Sequence, residues 1–463
     1  MRDPGEILLV AGYELGHQPL AVAWPVAFLE RLGYQPSVMD VSIEPFDPER
    51  VKRAKLIAIS VPMHTALRVG VAAADRVRSV NPRCHLCFYG LYASLNADYL
   101  LAHGVDSVIG GEAEVPLGNL ARALETGHGH PLRGVRQLDR PEAPHLARLD
   151  FPVPRRDQLP SLKRYTKLER AGRSELVGYV EASRGCRHLC RHCPIPPVYG
   201  GRFFAVPRDV VLADIRQQVA AGATHVTFGD PDFLNGPAHA LRLVRDLHAE
   251  MPEVTFDFTA KIEHLIRRRE HLAEFASSGC LFIVSAAESL SDVVLAHLDK
   301  GHTRADIAAA LGAVRAAGIA LRPTWVAFTP WTTIADYREM LDFIEGADLV
   351  DHVDAVQYAL RLLVPPGSLL TESPAMQPYL GQLEQETFSY RWSHPDPRMD
   401  QLQATVTAEV TRAVERREDP AAIFDRVRAL AAESAGAPEP SPVSARLPAG
   451  RPRPPHLTEP WFC

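Results

Sequence analysis

No run in this chain of 463 residues approaches the length of about 20 apolar side chains that a helix needs to cross a bilayer. A spanning helix is therefore not expected. The N-terminus, Met1-Arg2-Asp3-Pro4-Gly5-Glu6, passes straight into a short apolar strand and does not read as a secretory signal. Charge of one sign is also scarce. Fifty Lys and Arg stand against 56 Asp and Glu, and the basic residues are dispersed. That distribution leaves no footprint for DNA or for an anionic membrane. Cysteine is sparse too, at seven residues with three of them clustered. Such usage fits a reducing compartment, the cytoplasm, and not a disulfide framework. Apolar content is ordinary, and the length allows two or three domains.

The three clustered cysteines lie in Ser183-Arg184-Gly185-Cys186-Arg187-His188-Leu189-Cys190-Arg191-His192-Cys193-Pro194. A structural iron–sulfur cluster wants four thiolates, and so does a closed zinc site. Three thiolates on one loop hold three irons of a cubane and leave the fourth open to substrate. The plainer alternative is zinc, with His188 or His192 as fourth ligand. The Cys-x3-Cys-x2-Cys spacing, with Ser-Arg-Gly before it, resembles the radical S-adenosylmethionine (SAM) superfamily. The resemblance implies that Cys186, Cys190 and Cys193 hold a 4Fe–4S cluster whose open iron binds SAM. Relatives carry an aromatic residue before the third cysteine, near the adenine. Here that place is His192.

Upstream, residues 6–135 alternate short apolar runs with helical patterns. Strands are expected at Ile7–Val10, Ser37–Val41, Leu56–Ser60, Cys84–Tyr89 and Val105–Ile109, with helices at Leu20–Leu32 and Val69–Val80. This rhythm predicts a parallel sheet covered on both faces, with ligands beyond the carboxyl ends of its strands. Small residues at those ends, Gly12, Ser60, Gly90, Gly110 and Gly111, would let a flat ligand approach the backbone. Ile59-Ser60-Val61, Tyr89-Gly90-Leu91 and Gly110-Gly111-Glu112-Ala113-Glu114 resemble the cobalamin-binding domain that precedes many radical SAM domains. The resemblance implies Ser60, Gly90, Gly111 and Glu112 as cofactor contacts. No Asp-x-His-x-x-Gly is present, so it implies cobalamin without a histidine ligand. A Rossmann-like domain that binds nothing is the alternative. Cys84 and Cys87 sit at an odd spacing on a strand, so they read as two buried hydrophobes on opposite faces.

Residues 136–170 are rich in Pro and Arg and read as a linker. From 171 to 370 strand and helix patterns alternate again. A partial (β/α)6 barrel is expected, with strands at Val177–Glu181, His225–Phe228, Thr255–Ala260, Leu281–Ala286, Leu321–Phe328 and Val356–Leu363. The cluster loop follows the first of these, at the end where barrel active sites lie. Gly229-Asp230-Pro231-Asp232-Phe233 and Glu288-Ser289 followed by Lys300-Gly301-His302-Thr303 resemble later landmarks of the superfamily. They imply Asp230 facing the SAM ammonium and Glu288 facing its ribose or methionine part. On chemistry alone Asp230 is equally a turn residue and Glu288 a helix-end carboxylate.

Residues 371–435 read as helical, and the aromatics Phe388, Tyr390 and Trp392 as a core patch. Residues 436–463 read as a disordered tail. Its end, Trp461-Phe462-Cys463, is similar to a subgroup that closes on Cys-Cys-Ala-Glu-Pro, or on the same tail with selenocysteine. The fold expected is thus α/β: a Rossmann-like cobalamin-binding domain at 1–135, a barrel and a short helical region. The activity implied is a cobalamin-dependent radical SAM enzyme that methylates an unactivated carbon of a small-molecule or peptide substrate. A flavodoxin- or ferredoxin-type protein would supply electrons. Radical chemistry without cobalamin, or a non-catalytic iron–sulfur or zinc protein, are the alternatives.

Overall fold

Five consecutive apolar residues make β1 (Ile7–Ala11), and all five are buried. Such a run has no face for water and needs helices on both sides, the setting of a parallel sheet. The structure is a computed structural model that describes residues 1–127, 132–448 and 450–459. It surrounds β1 with β2 (Ser37–Asp40), β3 (Leu56–Ser60), β4 (His85–Tyr89), β5 (Ser107–Ile109) and β6 (Val135–Arg136). The order is β2-β1-β3-β4-β5-β6, parallel except for β6. Ile7 and Leu9 pack with helices Leu20–Arg31 and Glu114–Thr126, whereas Leu8 and Val10 pack with helix His64–Val80. Cys87 falls in the first of these cores and Cys84 in the second, as their spacing predicts. The order reverses between β1 and β3, and a crevice opens there beyond the strand ends.

The second sheet begins inside the segment expected to be linker. β7 (Lys167–Arg170) pairs antiparallel with β8 (Arg173–Val180). The rest of that segment is not loose either. Trp24 Nε1 donates to Pro152 O at 3.0 Å, and Arg156 is buried in a two-pronged ion pair with Asp214. A short hairpin follows, β9 (Ser183–Gly185) against β10 (Phe203–Ala205). Then come β11 (His225–Phe228), β12 (Thr255–Thr259), β13 (Cys280–Glu288) and β14 (Ala320–Trp325), each parallel to its neighbour.

The sixth barrel strand, expected at Val356–Leu363, does not form. Residues Ala355–Tyr358 make a 3-10 turn instead. The Gln357 side chain takes over part of the ladder by accepting from Trp325 N at 2.9 Å. Only an isolated parallel bridge, Phe328 to Arg361, remains of that strand.

The C-terminal region is not all helical. β15 (Leu380–Glu384) and β16 (Ser389–Trp392) form a hairpin before helices Pro397–Glu415 and Pro420–Ser434. Its aromatics are core residues, as expected: Trp392 packs with Leu362 and Met376, and Phe388 packs into the first domain. The tail is also laid against the fold. Val443 N donates to Asp425 at 2.6 Å, Arg451 pairs with Asp351, and β17 (His456–Leu457) joins β7. Composition predicts disorder from low hydrophobicity, and it does not register such specific anchors. The second sheet therefore runs β14-β13-β12-β11-β8-β7-β17. Trp461, Phe462 and Cys463 lie outside the described residues. Among the described residues, no helix is long and apolar enough to cross a membrane.

Candidate functional site

The cysteine loop leaves the carboxyl end of β8 and returns as helix Ile195–Tyr199. Cys186 and Cys190 are buried free thiols, and Cys193 is a partly covered one. Burial pushes the Cys186 thiol up and the Cys193 thiol up to about 12. These groups stay protonated until a metal centre displaces the proton. Asn235 fixes the start of the loop, with Nδ2 at 3.6 Å from Cys186 Sγ and Oδ1 accepting from Arg187 N at 3.3 Å. Arg191 N donates to Leu298 O at 2.9 Å and ties down the other end. Cys84, Cys87 and Cys280 are packed in sheet cores and add no fourth thiol to the loop.

Beside the loop, β13 ends on a bulge, and Glu288 takes φ +64. A carboxylate side chain in the left-handed region is costly, and such strain clusters at functional sites. Glu288 accepts from Lys300 Nζ and from His192 Nε2, each at 3.1 Å. Burial works against its charge, but Lys300 and His192 outweigh it and hold the carboxyl well below the usual range. His192 thus reaches Glu288, and its Nδ1 is buried with no partner. Two landmarks far apart in sequence meet here, and Lys300 adds a cation that the sequence reading left without a role.

Asp230 is buried at the end of β11. It accepts from Ala182 N at 2.9 Å and from the Ser183 hydroxyl. Burial raises its carboxyl to about 7 against those bonds. It is neither a helix cap nor a turn residue. It joins the end of β11 to the start of the cysteine loop, and it lines a cavity.

That cavity, of about 370 Å³, lies where the carboxyl ends of the two sheets face one another. From the first sheet come Glu14, His17, Ser60, Tyr89, Gly90, Gly111 and Glu114. From the second come Tyr179, Glu181, Ser183, Arg184, Asp230 and Asp257, with Gly185, Pro194 and Ile195 flanking the cysteines. Ser60, Gly90 and Gly111 all line the cavity, and the two glycines also lie close against backbone. A Cβ on Gly111 would lie 2.3 Å from His145 O, and one on Gly90 3.2 Å from the Val61 carbonyl. Backbone of this chain already takes up that close approach. Glu112, expected to touch a cofactor, lies behind Arg184 and is not among the residues that line the cavity. It is fully buried against Arg184 at 3.0 Å and Tyr199 OH at 3.0 Å, and burial raises its carboxyl to about 7. Glu114 reaches Arg184 at 2.7 Å through one oxygen, and its Oε2 is buried without a partner. His17, stacked on Tyr179 at 4.6 Å, also has a buried, unpartnered Nδ1.

Arg184 is the junction of the two sheets. It pairs with Glu112, Glu114 and Glu181 and lies over Trp24 at 4.4 Å. The Ser-Arg-Gly before the cysteines and the Gly-Glu-x-Glu of the first domain, separate in sequence, are here one contact. Nothing in the spacing of either motif signals it.

His188, Asp232 and His264 place potential metal ligands within 4.8 Å of one another. His264 Nδ1 lies 2.7 Å from Asp232, His188 Nε2 lies 3.3 Å from His264 Nε2, and Lys261 Nζ lies 3.0 Å from His188 Nδ1. An ammonium only donates, so His188 Nδ1 accepts and the ring proton sits on Nε2. That nitrogen has no lone pair for an ion. The group is a hydrogen-bonded chain that anchors the cysteine loop to β11 and β12. It also draws His188 away from the cysteines.

Comparison with known proteins agrees with this geometry. Residues 180–344 match the profile of the radical SAM superfamily. The chain is 28% identical over 254 residues to a tRNA-2-methylthio-N(6)-dimethylallyladenosine synthase of Desulfosudis oleivorans, covering 53% of this chain and 51% of that one. It is 25% identical over 185 residues to the ribosomal protein uS12 methylthiotransferase RimO of Geotalea uraniireducens, covering 36% and 40%. The chain thus spans about half or less of the curated relatives it matches. Among solved structures it is similar to the cobalamin-dependent SAM radical enzyme OxsB with aqua-cobalamin and SAM bound. That match has TM-score 0.71, 14% identity, and covers 88% of this chain and 67% of that one. It is also similar to the radical SAM methyltransferase TsrM of Kitasatospora setae with cobalamin and a [4Fe-4S] cluster bound. There the TM-score is 0.60, the identity 19%, and the coverage 74% and 73%. At such identities these likenesses speak for the fold. The chain carries a radical SAM domain, and Cys186, Cys190 and Cys193 lie inside it.

Proposed function

We propose that this protein is a cobalamin-dependent radical SAM enzyme that methylates an unactivated carbon. The observation that carries the reading is the single cavity walled by the carboxyl ends of both sheets and flanked by the three-cysteine loop. When bound, a 4Fe–4S cluster and SAM supply a 5′-deoxyadenosyl radical, and cobalamin supplies a methyl carrier. The residues present fit those groups. Cys186, Cys190 and Cys193 offer three thiols with no fourth beside them among the described residues, which suits a cluster with an open iron. Glu288, held ionised by Lys300, and Asp230 present carboxylates for the cationic and hydroxyl parts of SAM. His192 Nδ1 is left to accept or donate beside them. On the opposite wall, Glu114 Oε2 and His17 Nδ1 are buried polar atoms without partners, free to bond a ligand or a water in the cavity. The likeness to the structures of OxsB and TsrM with cobalamin bound supports the corrinoid part of the reading. The substrate is a small molecule or a peptide, and a flavodoxin- or ferredoxin-type protein is the electron donor in this reading.

The test uses protein reconstituted anaerobically with iron, sulfide and hydroxocobalamin, then reduced and given methyl-labelled SAM. Retained corrinoid absorbance together with 5′-deoxyadenosine is the expected result. Nucleoside with no retained corrinoid would replace the proposal with radical SAM chemistry free of cobalamin. Label transferred together with sulfur would instead align the chain with the methylthiotransferases it resembles in sequence.

A further inference from the structure

A barrel with five parallel strands leaves one long side open between its first and last strands. In this chain that side is covered by the C-terminus. Leu457, on β17, packs into one apolar cluster with Leu168, Val177, Phe282 and Val284, which come from β7, β8 and β13. The outermost strand of the sheet therefore touches strands near its opposite edge, across the barrel interior. Leu457 also lines the cavity that holds Asp230 and Tyr179. Only a crevice of about 20 Å³, bordered by Leu457, Glu459 and Arg322, lies between β17 and β14.

The anchoring is specific. His456 and Leu457 pair with Glu169 and Leu168. Thr458 N donates to Lys167 O at 2.8 Å, and Thr458 Oγ1 accepts from Lys167 N at 3.0 Å. Glu459 N donates to Thr166 Oγ1 at 3.1 Å, and the Glu459 carboxylate accepts from Tyr13 OH. A Cβ on Gly16 would lie 2.8 Å from Glu459 Cγ, so the loop after β1 is shaped around this contact. One short segment is thus fastened to both domains. Yet its ladder is only two residues long, and a two-residue strand at a sheet edge opens readily.

We propose that residues 456–459 are the missing wall of the barrel, and that Leu457 is a positioning residue that closes the cavity from inside. A substrate would then reach the cavity from the cleft between the two sheets and not through the open side of the barrel. That consequence rests on the function proposed above, whereas the wall itself does not. The experiment uses the cluster-loaded full chain carrying Val177→Cys, with a small maleimide as probe and peptide mass mapping to locate the label. Val177 is buried in the apolar cluster against which Leu457 packs, and it lies outside the cavity lining. It should be protected in the full chain. It should be labelled about tenfold faster or more with Leu457→Asp, or in a chain ending at Pro455, as expected when about 1.4 kcal/mol of closure is lost. Leu457→Ile should restore protection. The rate at which a chelator bleaches the cluster should rise in the same two opened variants, a readout that needs no turnover. Equal labelling of Val177→Cys with and without the segment would overturn the proposal. Absence of SAM cleavage would count against the proposed function and leave the labelling result standing.

Discussion

The two sheets share parallel strands, buried apolar runs and a cavity at their carboxyl ends, but they prepare that cavity differently. At the barrel end the polar groups are largely engaged. Glu288 has Lys300 and His192, Asp230 has Ala182 and Ser183, and His188 has Lys261 and His264. At the end of the first sheet, Glu114 Oε2 and His17 Nδ1 have no partner, as His192 Nδ1 and His302 Nδ1 have none at the barrel end, and Gly90 and Gly111 lie close against backbone. The barrel end resembles a preorganised site, whose side chains are locked by one another before any ligand arrives. The first sheet provides shape and a few waiting polar atoms. Damage at the barrel end should therefore remove chemistry and stability together, whereas damage at the other end should remove one ligand and spare the rest.

The sharpest contrast is at the cysteines. Cys186→Ala should abolish the cluster absorbance of reconstituted protein and reduce SAM cleavage to background, because two thiolates do not hold a cubane. Lys300→Met comes next. It leaves the buried Glu288 carboxylate without its main counter-charge, and breaking a buried pair from one side costs about 3–5 kcal/mol. Urea unfolding of the cluster-free protein measures that loss, and Glu288→Gln in the same chain should return part of it. Gly111→Val tests the other side of the comparison. Its φ of +72 and the nearby His145 O make any side chain strained, at a cost of about 1–3 kcal/mol. The expected outcome is weakened hydroxocobalamin retention with SAM cleavage preserved. Equal loss of both would erase the distinction between the two ends.

The most graded of these effects is a pH dependence at Asp230. Burial raises its carboxyl to about 7 in the folded chain, far above an unfolded value of about 3.9. The folded state therefore holds the proton more tightly than the unfolded one. Its stabilising contribution is complete below about pH 4 and is lost as pH rises through about 7. Asp230→Asn does not titrate, keeps one carbonyl oxygen to accept from Ala182 N, and can turn its amide N–H toward the Ser183 hydroxyl as a donor. The stability difference between wild type and variant, read from urea unfolding, should therefore grow in favour of the variant from about pH 4 to about pH 7, by up to about 4 kcal/mol. A difference that stays flat across that range would place the carboxyl in water.

Much of this was legible in the sequence because it is local. The apolar runs Ile7–Val10 and Leu56–Ile59 have no polar alternation and are too short for a helix, so they read as strands buried on both faces. The cysteine spacing named its own chemistry. What failed to show was pairing over distance. Arg184 meets Glu112 and Glu114 about 70 residues upstream, and a charged residue in a loop gives no sign of a buried partner. The glycines after β4 and β5 announced tight backbone geometry, but not whether a ligand or His145 would fill the space. Val356–Leu363 has strand-like residues, but a 3-10 turn forms over its start and the Gln357 side chain accepts from Trp325 N in place of a strand carbonyl. Pro, Ala and Ser dominate the tail and point to disorder, whereas its anchors are single residues that composition does not register: Arg451, Thr458 and Glu459.

The central claim is that the barrel end is built for radical chemistry on SAM. The most direct measurement is 5′-deoxyadenosine released from SAM by anaerobically reconstituted, reduced protein, with Cys190→Ala measured beside it. The account predicts nucleoside from the wild type and none above background from the variant. Equal output from the two chains, or stoichiometric zinc with no nucleoside from either, would contradict it.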